Sequence, residues 1–278
     1  MRTILAETIT KVVKQLFLEA GHMPGIDALS AVRSAFESET NPAAKEALRQ
    51  LVENSEVAKE TGMPYCQDTG MAVVFMAVGQ DVHIDGDIRD AVNAGVRQAY
   101  DEGYLRKSVL DPLTRLNTGD NTPAIIHFDI VPGDKVRITA APKGFGSENM
   151  SRIEMLKPSD GIEGIKQFVL DSVKKAGGSP CPPVVLGVGI GGTFETCALM
   201  AKRQLLRDIG SVNEDNTLAE LEAELKTKIN GLGIGAMGFG GDNYCLAVHI
   251  EKYSTHIAGL PAAVNFQCHA SRHASAII

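Results

Sequence analysis

The chain has 278 residues, 44% of them hydrophobic, with 28 glycines and a formal charge of −7. That supports a well-buried core with many tight turns, and the acidic balance without any long Lys/Arg block argues against nucleic-acid binding. No apolar run approaches the ~18–20 residues that cross a bilayer, and residues 1–20 alternate apolar and charged residues instead of forming a secretory core, so a cytoplasmic protein with no membrane partner is expected.

The chain opens with helices. Leu5, Ile9, Val12, Val13 and Leu16 fall on one helical stripe. A second helix is predicted over 27–36, and Asn41-Pro42 supplies an N-cap and a first-turn proline for a third through Val52. Beyond the loop at Cys66, residues 71–78 read as a strand, and Ile88, Ala91, Val92, Gly95, Val96 and Ala99 mark a helix ending near Leu105. Residues 124–131 and 135–140 flank Pro132-Gly-Asp134 as a predicted β-hairpin. Residues 143–149 form a polar glycine loop, and 162–175 an amphipathic helix. A strand over 183–188 enters Gly187-Val-Gly-Ile-Gly-Gly192, followed by a helix from Thr193 to Ile209 and another over 218–229. Residues 231–241 hold six glycines, and 244–250 read as a buried strand. No internal repeat or linker is visible. The expected fold is α/β, mixed α and β, with a helical N-terminal layer followed by mixed β-sheet segments and flanking helices, in a single domain over 1–278.

The chemistry concentrates on cysteine. Five cysteines are an odd count and do not read as a disulfide framework. Cys66 lies in Met63-Pro-Tyr-Cys-Gln-Asp-Thr-Gly70, Cys181 in Gly178-Ser-Pro-Cys-Pro-Pro183 and Cys268 in Asn265-Phe-Gln-Cys-His-Ala270. They are too far apart for a compact zinc motif. Three thiolates gathered from separate loops suit a [4Fe–4S] cluster with one iron open to substrate, since an electron carrier normally takes four. The prolines around Cys181 hold its backbone rigid. Cys197, within a helix, and Cys245, within an apolar strand, read as buried small hydrophobes. Next to Cys66, Gln67 and Asp68 bring a carboxamide and a carboxylate, the latter a candidate base. Arg106, Lys143, His256, His269 and Arg272 are the basic and polar groups of the candidate loops.

Gly187-Val-Gly-Ile-Gly-Gly192 also matches G-x-G-x-x-G between a strand and a helix, with Asp208 further on. That admits a nucleotide-binding oxidoreductase. No clean βαβ unit with an acidic residue closing a second strand accompanies it, so an anion-binding or structural role ranks above a nicotinamide cofactor.

In order, Cys66-Gln-Asp-Thr-Gly, Lys143-Gly-Phe-Gly-Ser-Glu-Asn149, Cys181-Pro-Pro, the 187–193 stretch and Asn265-Phe-Gln-Cys-His-Ala270 resemble the class I, iron–sulfur fumarate hydratase family, in particular its α subunit, over nearly the whole chain. Phe145 stands where another glycine is expected. The resemblance implies that Cys66, Cys181 and Cys268 hold a [4Fe–4S] cluster. It also implies that Gln67, Asp68, Arg106 and His256 line the substrate pocket, with Asp68 and His256 as the catalytic pair and Lys143 and Gly144 beside the substrate. The implied reaction is reversible hydration of fumarate to L-malate; the close rival is an L-tartrate dehydratase α subunit. Single-chain relatives continue into a second domain, whereas this chain stops at Ile278, just past Cys268. A separate β subunit, a small dicarboxylic acid substrate and an α2β2 hetero-oligomer are therefore expected, as is little activity from the α chain alone.

Overall fold

The apolar stripe at the N-terminus buries Ile9, Val13, Leu16 and Phe17, so its helix forms where the spacing predicts. The computed structural model describes residues 1–278. In chain order the elements are β1 (Arg2–Leu5), α1 (Ala6–His22), α2 (Ile26–Ser38), α3 (Pro42–Thr61), β2 (Met71–Gly79), β3 (Val82–Asp85), α4 (Ile88–Glu102), β4 (Ile125–Val131), β5 (Val136–Lys143) and α5 (Phe145–Glu148). There follow β6 (Arg152–Leu156), α6 (Gly161–Ala176), β7 (Val184–Gly191), α7 (Phe194–Gln204), α8 (Asn216–Asn230), β8 (Cys245–Tyr253), β9 (Leu260–Gln267) and β10 (Ala274–Ile277). The predicted α/β class with mixed sheets is the one observed. No helix is long and apolar enough to cross a membrane.

The chain divides into two compact units. Met1–Gly25, Asn54–Phe145 and Arg272–Ile278 form the first, and Ile26–Glu53 with Gly146–Ser271 the second. Because their segments interleave, and one boundary falls inside α3, no linker composition marks them in the sequence.

In the first unit a four-stranded sheet runs in the order β10-β5-β2-β4, and β1 pairs with β3 in a small parallel sheet. α1 and α4 cover the larger sheet. Ile9, Val13 and Phe17 join Val92, Val96 and Tyr100 over Val74, Met76 and Ile138 in one apolar cluster. The hairpin predicted around Pro132-Gly-Asp134 is not formed. β2 lies between the two strands, parallel to β4 and antiparallel to β5. The connecting loop arches over the end of β2, where Gly79 donates to the Lys135 carbonyl at 2.9 Å and Asp81 to that of Gly133 at 3.0 Å. Any Cβ on Gly79 would strike the Gly133 carbonyl, so the glycine permits the arch.

In the second unit the order is β6-β9-β7-β8, with β7 parallel to β8 and antiparallel to β9. Leu186 and Val188 on one face of β7 pack with Phe168 and Val169 of α6 and Leu221, Leu225 and Ile229 of α8. The alternate positions, Gly187 and Gly189, face α7. α2 and the first part of α3 add Val32, Ala35, Ala44 and Leu48 to a cluster with Val185 and Leu246. Buried Glu39 ties the segment between these helices to the end of the 231–241 glycine stretch. Its carboxylate accepts from the backbone N–H groups of Thr40, Asn41, Asp242 and Asn243 and from the Asn243 side chain.

Candidate functional site

The loop before β2 is tied down by side chains and backbone from several segments of the first unit. Asp68 Oδ1 accepts from the Gly70 N–H at 3.0 Å, and Oδ2 accepts from the Phe145 N–H at 2.9 Å. The carboxylate is thereby held by two backbone donors from different segments. Gly70 has φ +67°, and a Cβ there would collide with the Lys143 backbone, so only glycine fits. The buried Tyr100 hydroxyl donates to the Thr69 carbonyl at 2.6 Å. Desolvation raises the pKa of that phenol, keeping it a neutral donor. The Asn121 side chain donates to the Gly70 carbonyl at 3.2 Å while accepting from the N–H groups of Ser108 and Val109. From the segment after β9, the Arg272 guanidinium donates through Nη2 to the Asp68 carbonyl.

These contacts gather most of the sequence candidates of this unit. Cys66 is half-buried, Gln67 is exposed and Asp68 half-buried. Arg106 is exposed, and its carbonyl accepts from the Thr69 hydroxyl at 3.1 Å, which sets it next to the loop. Lys143 is buried at the end of β5, its ammonium donating to the Gly144 carbonyl at 3.2 Å. Gly144 lies so close that a Cβ on it would stand 3.2 Å from Asp68 Oδ2. Phe145, in place of the expected glycine, keeps its backbone contact to Asp68 because its N–H makes the bond without needing a left-handed conformation.

In the second unit Cys181 and Cys268 are joined through His269. The His269 backbone N–H donates to the Cys181 carbonyl at 3.4 Å, and its ring Nδ1–H donates to the same oxygen at 3.1 Å. Cys181 has φ +54°, a left-handed conformation uncommon for a residue with a side chain. The loop is fixed beyond it by the Met237 N–H, which donates to the Pro182 carbonyl at 2.9 Å. The 231–241 glycine stretch thus supports the Cys181 loop.

The remaining candidates lie elsewhere. His256 is exposed in the turn between β8 and β9, its Nδ1 accepting from the Ala258 N–H at 3.2 Å. Cys268 follows the other end of β9, so at ~3.3 Å per residue the whole strand separates the two by roughly 26 Å. One chain therefore does not bring His256 and Cys268 together. Gly187 and Gly189 belong to β7 itself. A Cβ on either would run into the carbonyls of Ala201 and Cys197 of α7, so these glycines serve close strand–helix packing. A phosphate-binding fingerprint needs its glycines in the turn after the strand, and this stretch does not supply that.

None of the five cysteines is in a disulfide. Cys197 and Cys245 are buried, and desolvation pushes both thiols up to about 12, which disfavours the thiolate a metal requires. Cys66, Cys181 and Cys268 are the three that keep some exposure. No three His, Cys, Asp or Glu side chains are drawn together tightly enough for a single ion. Within the first unit the half-buried Cys66 shares its loop with the carbonyl that buried Arg272 holds, and within the second Cys181 and Cys268 are linked through His269. In each unit the donor chemistry, thiols that keep some exposure, is of the kind an iron–sulfur group takes. Sequence reasoning missed the supporting roles of Tyr100 and Asn121. Neither sits in a motif, and both act through side chains meeting backbone carbonyls far along the chain.

Residues 10–277 match the family model described as fumarate hydratase (Fumerase). A protein of Methanocaldococcus jannaschii that carries the provisional name L(+)-tartrate dehydratase subunit alpha is 46% identical over 273 residues, covering 96% of each chain. The L(+)-tartrate dehydratase subunit alpha of Escherichia coli O157:H7 is 32% identical, covering 91% of this chain and 84% of its own. The ordered motifs and these matches together make the chain a hydro-lyase of the fumarate hydratase family.

Proposed function

We propose that this chain is the α subunit of a [4Fe–4S] hydro-lyase that reversibly hydrates fumarate to L-malate. The observation that supports this most strongly is the 66–70 loop, in which a cysteine stands two residues from a carboxylate fixed by two backbone donors. Cys66, Cys181 and Cys268 would hold the cluster, and its open iron would supply Lewis-acid help to the departing hydroxyl group. Asp68, aimed by the Gly70 and Phe145 N–H groups, takes the proton from the carbon next to the hydroxyl-bearing one, and returns it in the reverse direction. Gln67 hydrogen-bonds the substrate. Arg106 and Lys143 counter its two carboxylates, and Gly144 leaves room for one of them beside Asp68. His256 lies at the other end of β9 from Cys268. A β subunit completes the enzyme, in keeping with the "subunit alpha" names of the relatives, and an α2β2 assembly in the reducing cytoplasm suits cysteines that form no disulfide.

A second reading is favoured by the same names: the substrate is L-tartrate, which loses water from an equivalent four-carbon diacid. Assay of the αβ complex with malate, fumarate and tartrate decides between them, the preferred substrate being the one with the higher kcat/KM. The cluster is tested by anaerobic reconstitution and iron counting of C66S, C181S and C268S. Each is expected to lose iron; full loading in all of them refutes the assignment.

A further inference from the structure

Arg272 is 4% exposed, and of its guanidinium nitrogens only Nη2 has a protein partner, the Asp68 carbonyl. Nε and Nη1 are buried without a hydrogen-bond partner. A buried cation with several unused donors is costly unless an anion compensates it, and proteins seldom keep one otherwise. No side-chain carboxylate answers it here: both oxygens of Asp68 accept from backbone N–H groups, and Arg272 makes its one bond to the Asp68 main chain. The residue lies four positions after Cys268 and is bonded two positions after Cys66, so it touches the sequence neighbourhoods of two of the proposed ligands.

We infer that Arg272 is a positioning residue for the cluster: it fixes the peptide of the loop that carries Cys66, and it supplies the N–H donors and positive charge that a thiolate-bound, net-negative cluster calls for. This rests on the cluster reading above. Outer-shell partners of this kind hold ligands in place and tune the potential of the metal group. Removing the cation makes the cluster harder to reduce, because the extra electron is no longer offset by a nearby positive charge.

The experiment uses the full chain expressed with its β subunit and reconstituted anaerobically as wild type, R272Q and R272K. Iron content, the cluster midpoint potential and the rate of iron loss to a chelator are followed first without and then with the dicarboxylic acid substrate. In R272Q the potential is expected to fall, with iron affinity weakened about 10-fold or more. R272K is expected to restore most of the potential but not the iron affinity, since a point charge replaces the charge and not the fork. An R272Q protein with wild-type potential and wild-type iron loss overturns the inference. So does a potential that changes only when substrate is added, which would assign Arg272 to the substrate carboxylate. Wild-type protein that takes up no iron defeats the cluster reading itself and is recognised before any variant is compared. Should R272Q not fold, pulsed EPR of reduced wild type with isotopically labelled arginine nitrogen gives the answer. Coupling present in wild type and absent in R272K supports the inference, and no coupling in wild type overturns it.

Discussion

The four-stranded sheets of the two units share one wiring and carry different chemistry. In each, a first strand (β2 or β7) leads through helix to a parallel neighbour (β4 or β8). The next strand (β5 or β9) returns on the other side of the first, and a fourth (β10 or β6) pairs antiparallel at its edge. In each, the candidate residues lie at the same end: just before the first strand, with Cys66 ahead of Met71 and Cys181 ahead of Val184, and at the close of the returning strand, with Lys143 and Gly144 ending β5 and Cys268 following β9. The first unit adds a carboxylate and cations to its one thiol. The second has two thiols joined through His269. Equal wiring therefore fixes where a site can be built, while the loop residues decide what it does.

The sharpest way to break this contrast is D68N. With the carboxylate gone and the cysteines intact, kcat is expected to fall about 10²–10⁴-fold at unchanged iron content, measured in the αβ complex. A smaller loss would move the acid–base work away from the first unit. Glycine replacements come next. G189A forces a methyl into the α7 backbone and is expected to destabilise the protein by about 1–3 kcal/mol in urea unfolding while the folded fraction keeps its specific activity. G70A meets the Lys143 backbone at a left-handed position and should lower both stability and specific activity, because the same turn aims Asp68.

A pH effect of intermediate size concerns Glu39 in the second unit. Burial alone would raise its pKa, but hydrogen bonds from Asn41, Asn243 and Asp242 together outweigh it and hold the carboxyl below its ordinary 4.5. The stability this provides is fully present above 4.5 and is lost as pH falls through the depressed value. Thermal melts are expected to show that acid-side loss in wild type and a flatter profile in E39Q. The smallest effect belongs to C245A, which should cost about 1 kcal/mol and leave iron loading as in wild type.

Several elements were legible in the sequence for identifiable reasons. Helical stripes placed α1 and α4, Asn41 caps α3 through its side chain as its position ahead of Pro42 suggests, and continuous apolar runs placed β2, β7 and β8. β9 escaped because Pro261, Asn265 and Gln267 interrupt its apolar pattern, yet all three are buried in the sheet. The hairpin error had a different origin. Pro132-Gly-Asp134 has turn chemistry suited to direct pairing, and only the non-local arrival of β2 shows that the turn spans two strand spacings. The glycines at 187 and 189 were ambiguous because a pattern cannot distinguish a backbone approached by phosphate from one approached by a helix. His256 was placed by its separation from Cys268, but those intervening residues are extended, and extension carries the two apart.

The arrangement of β5 bears on how the protein is made. Its outer edge is filled by β10, and Val136 and Ile278 exchange backbone hydrogen bonds there. During synthesis that edge stays open, and the Asp68 carbonyl lacks Arg272, until residues 272–278 have left the ribosome. The first unit's sheet therefore keeps a bare strand edge for as long as β10 is unpaired, and such an edge is open to wrong pairing in a crowded cell.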